Sequence, residues 1–381
     1  MQTYDVAVIG LGAMGASALA ALAQRGVKAI GFEQFEPGHA RGSSHGESRL
    51  IRLAYFEDPS YVPLARLAYE AWARLEAATG ERVLSRTGII EAGVPGSALV
   101  AGSLRSAIEN GISHERLTGA QIAARFPAFA FPADWEGLFQ ADGGVLQPET
   151  AIGLYIALAK QFGATVRAKT KVLAPDPVGD RVRIRTVAGE TIEAGAVIVA
   201  GGPWMGDLVP DLASRLTLTR QMLFWFDPTD RALVAPGRMP AFLFESGEDI
   251  VYGMPDLFGT GVKAASHLHG AVLADGDAER REPTAAEAEP IAAALARYIP
   301  AAAGPVTRRA ACTYTNTADE HFIVGLHPEH PQIVIASPCS GHGFKFSSIF
   351  GEVLADLATT GETDKPIGLF DPGRVLNRPQ R

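Results

Sequence analysis

Residues 4–35 read YDVAVIGLGAMGASALAALAQRGVKAIGFEQF, and three kinds of pattern follow one another within them. Asp5 to Ile9 has the short, β-branched composition of a buried strand. Ala13 to Gln24 has the alanine and leucine of a helix, and Lys28 to Glu33 returns to strand composition. Gly10, Gly12 and Gly15 stand between the first strand and the helix as G-x-G-x-x-G. The first glycine permits the sharp turn, the second lets a pyrophosphate approach the backbone, and the third lets helix and strand pack closely. The phosphate then rests on the helix N-terminus, where unpaired N–H groups and the dipole favour an anion. Glu33 closes the second strand 18 residues after Gly15, where a carboxylate accepts from ribose hydroxyls and disfavours a 2'-phosphate. Motif, strand, helix and acid together specify a dinucleotide site, but do not choose between NAD and FAD.

Further along, ATVRAKTKVLAP (164–175), RVRIRTVAGETI (181–192) and AGAVIVAGGPWMGDL (194–208) read as a strand, a hairpin and a final apolar strand ending in a glycine turn. A helix from Glu149 to Phe162 precedes them. The nucleotide fold is therefore interrupted and resumes near residue 146, an arrangement typical, by analogy of fold, of large FAD enzymes. TGIIEAGVP, LTLTRQMLFWFD, AFLFESGEDIVYGMP and GTGVKAASH are further strand-like runs lying in two insertions. The expected fold is α/β: an interrupted Rossmann-like FAD-binding domain (1–85, 146–215 and 323–381) beneath a mainly antiparallel-sheet substrate domain (86–145 and 216–322).

Composition bounds the partners. The chain has 381 residues and a net charge of -8, without a block of five like charges, so it offers nucleic acid no attractive field and a small molecule is the expected partner. Cys312 and Cys339 are its two cysteines, too few for a disulfide framework. The N-terminal apolar run is too short and glycine-interrupted for a membrane span or a signal peptide, so a cytoplasmic protein without membrane attachment is expected.

Residues 42–64, GSSHGESRLIRLAYFEDPSYVPL, lead into an amphipathic helix from Ser60 to Thr79 that buries Leu64, Leu67, Ala68, Ala71, Trp72 and Leu75. Before it, His45, Arg49 and Arg52 fall at i, i+4 and i+7, one face if the segment is helical. That face is either a solvated basic stripe or a contact surface for flavin and an anion, since arginine presents a planar fork to a carboxylate. Near the end, Gln332 to Ala336 reads as a strand, Ser340 to Gly343 as a turn, and Phe344 to Thr359 as a helix with Lys345 in its first turn. A lysine there opposes the helix dipole unless an anion is present. In GVKAASH, alternation puts Lys263, Ala265 and His267 on one strand face. By residue type alone Lys263 would be an exposed strand lysine, and His267 a histidine satisfied by backbone partners.

These strings resemble the monomeric sarcosine oxidase and N-methyltryptophan oxidase family of flavoenzymes. GSSHGESRLIRLAY is similar to the family's G-S-H-H-G-[DE]-[ST]-R-[IL]-I-R-H-A-Y, with Ser44 and Leu53 each replacing a histidine; SGHGFKFS and CTYTNTADEHF carry two further signatures. The resemblance implies that Arg52 and Lys345 hold a substrate carboxylate. It also implies that Lys263 activates dioxygen over the flavin, and that His45, Arg49, Tyr252 and His267 complete the catalytic surroundings. Ser43, Gly341 and Gly343 would contact FAD together with the glycine turn, and Cys312 would bond covalently to the flavin 8-methyl carbon. A thiolate is needed for that bond, and a cation such as Arg49 favours one. Cys339 is expected to be an inert buried thiol, and Leu243 stands where sarcosine oxidases tend to have methionine. The expected activity is oxidation of N-methyl or related secondary amino acids by a monomer, yielding aldehyde, amine and hydrogen peroxide. Two alternatives stay open: a flavin dehydrogenase of another small acid that passes electrons to a partner, and a nucleotide-binding protein without turnover.

Overall fold

The Gln2–Ile9 strand lies inside an eight-stranded sheet, and Val6, Ala7, Val8 and Ile9 on it are each buried. A strand covered on both faces has no need to alternate, which is why this stretch reads as continuous apolar sequence. The computed structural model describes residues 2–267 and 270–377. Within them Gln2–Ile9 pairs in parallel with Thr191–Val199 on one side and Ala29–Phe32 on the other. Thr165–Arg167 extends the sheet beyond Ala29–Phe32, and Ile333–Ser337 joins in parallel beside Thr191–Val199. The hairpin of Asp176–Val178 and Arg181–Arg185 and the strand Ile323–Leu326 are antiparallel additions.

The glycine turn works by contact. Gly10 has φ +87°, and a Cβ on Gly15 would stand 1.8 Å from the Gly10 carbonyl oxygen, so the Ala13–Gln24 helix approaches the turn as only glycine allows. That helix packs against Pro148–Gln161 and Ser347–Thr360, its alanines admitting both neighbours.

A nine-stranded sheet faces the first. Its strands are Ile89–Gly93, Glu115–Thr118, Glu136–Gln140, Thr217–Phe226, Ala241–Ser246, Asp249–Met254, Val262–Ser266, Val272–Leu273 and Val306–Asn316. Pairing is antiparallel except between Ala241–Ser246 and Ile89–Gly93. Its outer face buries an aromatic cluster including Phe129, Phe131, Trp135, Phe242 and Phe244.

A three-stranded sheet joins the two layers, and it overturns the helical reading of residues 45–52. Arg49–Ile51 is a strand, paired antiparallel with Gly144–Leu146, which also pairs with Leu84–Ser85. Gly46 at φ +93° and Glu47 at φ +66° are left-handed, and no right-handed helix continues through two such residues. His45, Arg49 and Arg52 therefore do not share a helix face. The helix expected from Ser60 begins as a 3-10 turn, Pro59–Tyr61, capped by Asp58, and continues as Val62–Thr79 to a left-handed Gly80. The last helix likewise opens with a 3-10 turn, Phe344–Phe346, before Ser347–Thr360. No helix among the described residues is long and apolar enough to cross a membrane.

Gly15→Ala should cost more than about 3 kcal/mol, because its methyl meets the Gly10 carbonyl group and the Val8 side chain. Gly12 has ordinary φ of -71°, and a Cβ there meets nothing closer than Ser44 Oγ at 3.9 Å. Gly12→Ala should melt like the unmodified apoprotein yet bind FAD about tenfold or more weakly, since its methyl fills the space the pyrophosphate needs. Thermal melts and flavin titration of both variants check the pair.

Candidate active site

Between the two large sheets lies a cavity of about 440 Å³ that runs from the glycine turn to Lys345. Gly10, Gly12 and Glu33 line one part, Ser43, Arg49 and Cys312 the middle, and Arg52, Tyr252, His267 and Lys345 the far end. Gly341 and Gly343 line it from the turn before the last helix.

At the near end Glu33 is 4% exposed; its carboxylate accepts from the amides of Leu11 (2.9 Å) and Phe35 (3.1 Å) and meets His39 Nε2 at 3.3 Å. Burial opposes its charge, but His39 and the two amides hold the carboxyl below its ordinary range. In the middle, Ser43 Oγ donates to the Thr313 carbonyl at 2.6 Å, and Arg49 Nη2 donates to the Ser43 carbonyl at 2.7 Å. The same nitrogen is 3.8 Å from Cys312 Sγ. Cys312 is 2% exposed within the Val306–Asn316 strand. Cys339 also lines the cavity, and burial pushes its thiol up to about 11, which keeps it protonated.

Three of the residues singled out in the sequence, Gly15, His45 and Lys263, do not line the cavity; Gly15 instead packs on the Gly10 carbonyl. His45 is buried with no hydrogen-bond partner for Nε2 among the described residues, and burial, Arg49 and Lys263 push it down to about 3, so it is neutral. Lys263 points, as the strand alternation requires, to the side opposite Val262 and Ala264. Its Nζ donates to the carbonyls of Gly46 (2.8 Å) and Ser48 (2.9 Å). Of the departures from the family strings, Ser44 and Leu243 line the cavity, whereas Leu53 is half-buried and packs against the hydrophobic core.

The far end collects charge. Arg52 is 3% exposed, with Tyr55 and Phe56 ring centroids 4.7 and 4.8 Å from its guanidinium carbon. Its Nε donates to Glu91 and its Nη2 to Glu57, both at 2.7 Å. Sequence reasoning missed both acids. The signal for Glu91 was an acid inside the apolar run GIIEAG; Glu57 sits in the quoted string but has no periodicity to mark it. Burial pushes Glu91 up to about 7 against the pull of Arg52, while Arg52, His342 and Lys345 overcome burial at Glu57 and hold it below the usual range. Gln140 braces the same segment, accepting from the amides of Leu53 and Ala54 at 3.2 and 2.8 Å.

Lys345 is 5% exposed and already has partners: its Nζ donates to the His342 carbonyl at 2.7 Å and to Tyr55 Oη at 3.2 Å. Tyr55 Oη is 2.6 Å from His342 Nδ1, and His342 Nε2 is 3.0 Å from the Glu320 carbonyl. A carbonyl only accepts, so Nε2 carries the proton and Nδ1 accepts from the tyrosine. The lysine at the start of the helix is thus stabilised by oxygen atoms of this chain, without an added anion. Burial and Arg52 lower it to about 7. Tyr252 and Tyr314 hydrogen-bond to each other, and His267, lowered by burial and then by Arg52 and Lys345 against Glu57, is neutral beside them. Among the described residues no group of three or more His, Cys, Asp or Glu is placed to hold a metal ion.

Both groups near 7 act in one direction. Lys345, depressed, is charged below pH 7 and loses its charge above it; Glu91, raised, is neutral below and anionic above. The far end therefore becomes more negative as pH rises through 7. The Kd of a small non-oxidisable carboxylate, read from perturbation of the flavin spectrum, should rise about tenfold per pH unit between pH 7 and 9. Lys345→Met should weaken binding below pH 7 and leave only the shallower dependence that comes from Glu91.

The residues present fit FAD: an acid and a glycine turn at one end, open space over Gly12, and a continuous cavity leading to a cysteine and several cations. Residues 5–357 match the family FAD dependent oxidoreductase. A monomeric sarcosine oxidase of Streptomyces avermitilis is 40% identical, covering 99% of both chains. An N-methyl-L-tryptophan oxidase of Citrobacter koseri is 34% identical over 93% of this chain and 94% of its own. In fold, the chain is similar to the open form of NikD, described as an unusual amino acid oxidase, with a TM-score of 0.86 over 98% of both chains at 24% identity. The chain belongs to the FAD dependent oxidoreductases, in the group of the monomeric sarcosine oxidases and N-methyltryptophan oxidases.

Proposed function

We propose that the protein is an FAD-dependent oxidase of N-methyl amino acids or closely related secondary amino acids. The observation that carries this reading is the meeting of Arg52 and Lys345 at one end of a cavity whose other end is the dinucleotide turn. Relatives named for sarcosine and N-methyl-L-tryptophan support the substrate class, because both compounds join a secondary amine to a carboxylate.

In this reading the substrate carboxylate rests between Arg52 and Lys345, Arg52 being held in plane by Glu91 and Glu57. The surrounding cations disfavour a protonated amine, so the nitrogen lone pair is available without a strong base. Leu243, Tyr252 and His267 bound the space left for the amine substituent. FAD held in this cavity would supply the two-electron acceptor for hydride lost from the carbon next to nitrogen, leaving an iminium, with dioxygen as the final acceptor and hydrogen peroxide as its product. Water then hydrolyses the iminium to aldehyde and amine. Lys263 is assigned to dioxygen activation, since a fixed ammonium stabilises the anion formed on the first electron transfer. His45 and Arg49 stand beside it, and Ser43, Gly341 and Gly343 contact the cofactor. Cys312 is assigned the covalent link, and Arg49 Nη2 lies 3.8 Å from its sulfur. We assign nucleotide binding to residues 1–85, 146–215 and 323–381, substrate binding to 86–145 and 216–322, and a cytoplasmic monomer as the working form.

A panel of N-methylated amino acids with peroxide detection tests the activity. Stoichiometric peroxide with at least one member is expected; flavin reduction without peroxide would instead indicate a dehydrogenase. Acid-precipitated protein should keep its yellow colour, and Cys312→Ala should release it to the supernatant. A colourless pellet from the unmodified protein would refute the covalent link.

A further inference from the structure

Lys263 is 2% exposed, yet the two oxygens that receive its ammonium are neutral carbonyls, Gly46 O and Ser48 O. A buried cation without a carboxylate in contact is costly unless negative charge reaches it another way. The Gly46–Glu47 peptide offers the route. Its carbonyl accepts from Lys263 Nζ at 2.8 Å, and its N–H, that of Glu47, donates to Glu149 at 3.1 and 3.2 Å. The Gly46 N–H adds a third bond to the same carboxylate at 2.6 Å. One peptide dipole thus stands between a carboxylate and an ammonium with its positive end on the acid and its negative end on the lysine.

Glu149 is suited to the part. It lies in the first turn of the Pro148–Gln161 helix, where the dipole favours an anion, and among the described residues it makes no ion pair with Lys, Arg or His. The other nearby acid, Glu47, is already engaged: it pairs with Arg308 and accepts from Trp225 Nε1 at 3.2 Å and Thr260 Oγ1 at 3.4 Å. The left-handed conformations of Gly46 and Glu47 are what turn the carbonyl to the lysine and the two N–H groups to Glu149.

We propose that Glu149 is the counter-ion of Lys263, acting through the Gly46–Glu47 peptide, and that it is a positioning residue that keeps the lysine charged and aimed. The dioxygen role of Lys263 belongs to the proposed function, and the consequence for oxygen chemistry rests on that reading. The groups that bear on the ammonium come from every side. Arg49 on the Arg49–Ile51 strand and His45 before it, Cys312 on the facing strand, and Glu47 and Glu149 surround it, and Arg308 lies across Trp225, which the ammonium also faces at 5.5 Å. Burial and Arg49 push the lysine far below its ordinary range, and Cys312, then Glu149 and Glu47, pull it back. Loss of the Glu149 charge must lower it further, so that oxygen reactivity fails at lower pH than in the unmodified protein.

The chain has seven lysines, so 13C-ε-labelled lysine NMR resolves the titration directly, with Lys263 assigned by its absence in Lys263→Met. In Glu149→Gln the Lys263 midpoint should fall by about one pH unit or more, a tenfold change in its ionisation constant; an unchanged midpoint overturns the proposal. Should Glu149→Gln fail to fold, Glu149→Asp carries the test: it keeps the charge, so the midpoint must stay close to that of the unmodified protein, and a fall of a unit overturns the charge role. In stopped flow, Glu149→Gln should slow reoxidation of reduced flavin by dioxygen about tenfold above the midpoint and leave anaerobic reduction by the amine within about twofold. It should add nothing in the Lys263→Met background, and an additive effect there counts against the proposal. Were Lys263→Met itself to reoxidise normally, the dioxygen reading of Lys263 would fall, while the NMR result would still decide the ion pair.

Discussion

Arg52, Lys263 and Lys345 are each 5% exposed or less, and the loops between the two large sheets are shaped by the need to satisfy them. Each solves the burial of charge differently. Arg52 has two carboxylates and two aromatic faces. Lys345 has a carbonyl and a phenol, and Lys263 has two carbonyls backed by an acid beyond the peptide. A cation left without such partners would have to give up its proton or its burial. This explains why residues 43–57 follow an irregular path: two left-handed residues, a three-residue strand and a turn carry the chain past all three cations.

The division of labour between the layers follows. The parallel sheet presents its glycine turn and helix N-terminus to the cofactor, as open α/β sheets do at the carboxyl ends of their strands. The antiparallel sheet brings Glu91, Leu243, Tyr252 and Lys263 from distant parts of the chain to the opposite wall or just behind it. The small sheet of Arg49–Ile51, Gly144–Leu146 and Leu84–Ser85 fixes the distance between layers. Arg49 opens the first of these strands, and Arg52 directly follows it.

What the sequence disclosed was mostly local. The strand, turn and helix of residues 4–35 were legible because periodicity and glycine spacing act over a few residues. The helix drawn through His45, Arg49 and Arg52 failed because a spacing of i, i+4 and i+7 arises in extended chain as readily as in helix, and Gly46 and Glu47 forbid the latter. Glu91, 39 residues from Arg52, was illegible as its partner because only the folded sheet brings the two together. Lys345, at the start of the last helix, opposes its dipole, and the partners that accept from it, the His342 carbonyl and the Tyr55 hydroxyl, have no signal in the sequence. Leu53 shows the reverse case, a departure from the family string that packs against the core and does not line the cavity.

Under the proposed function, Arg52 and Lys345 hold the substrate carboxylate and so place a secondary amine beside FAD. Anaerobic titration of the flavin with an N-methyl amino acid and with its methyl ester tests it most directly. The acid should bleach the flavin, and the ester, which lacks the charge those two residues hold, should do so at least about a hundredfold more slowly at equal concentration. Equal rates for acid and ester would contradict the account.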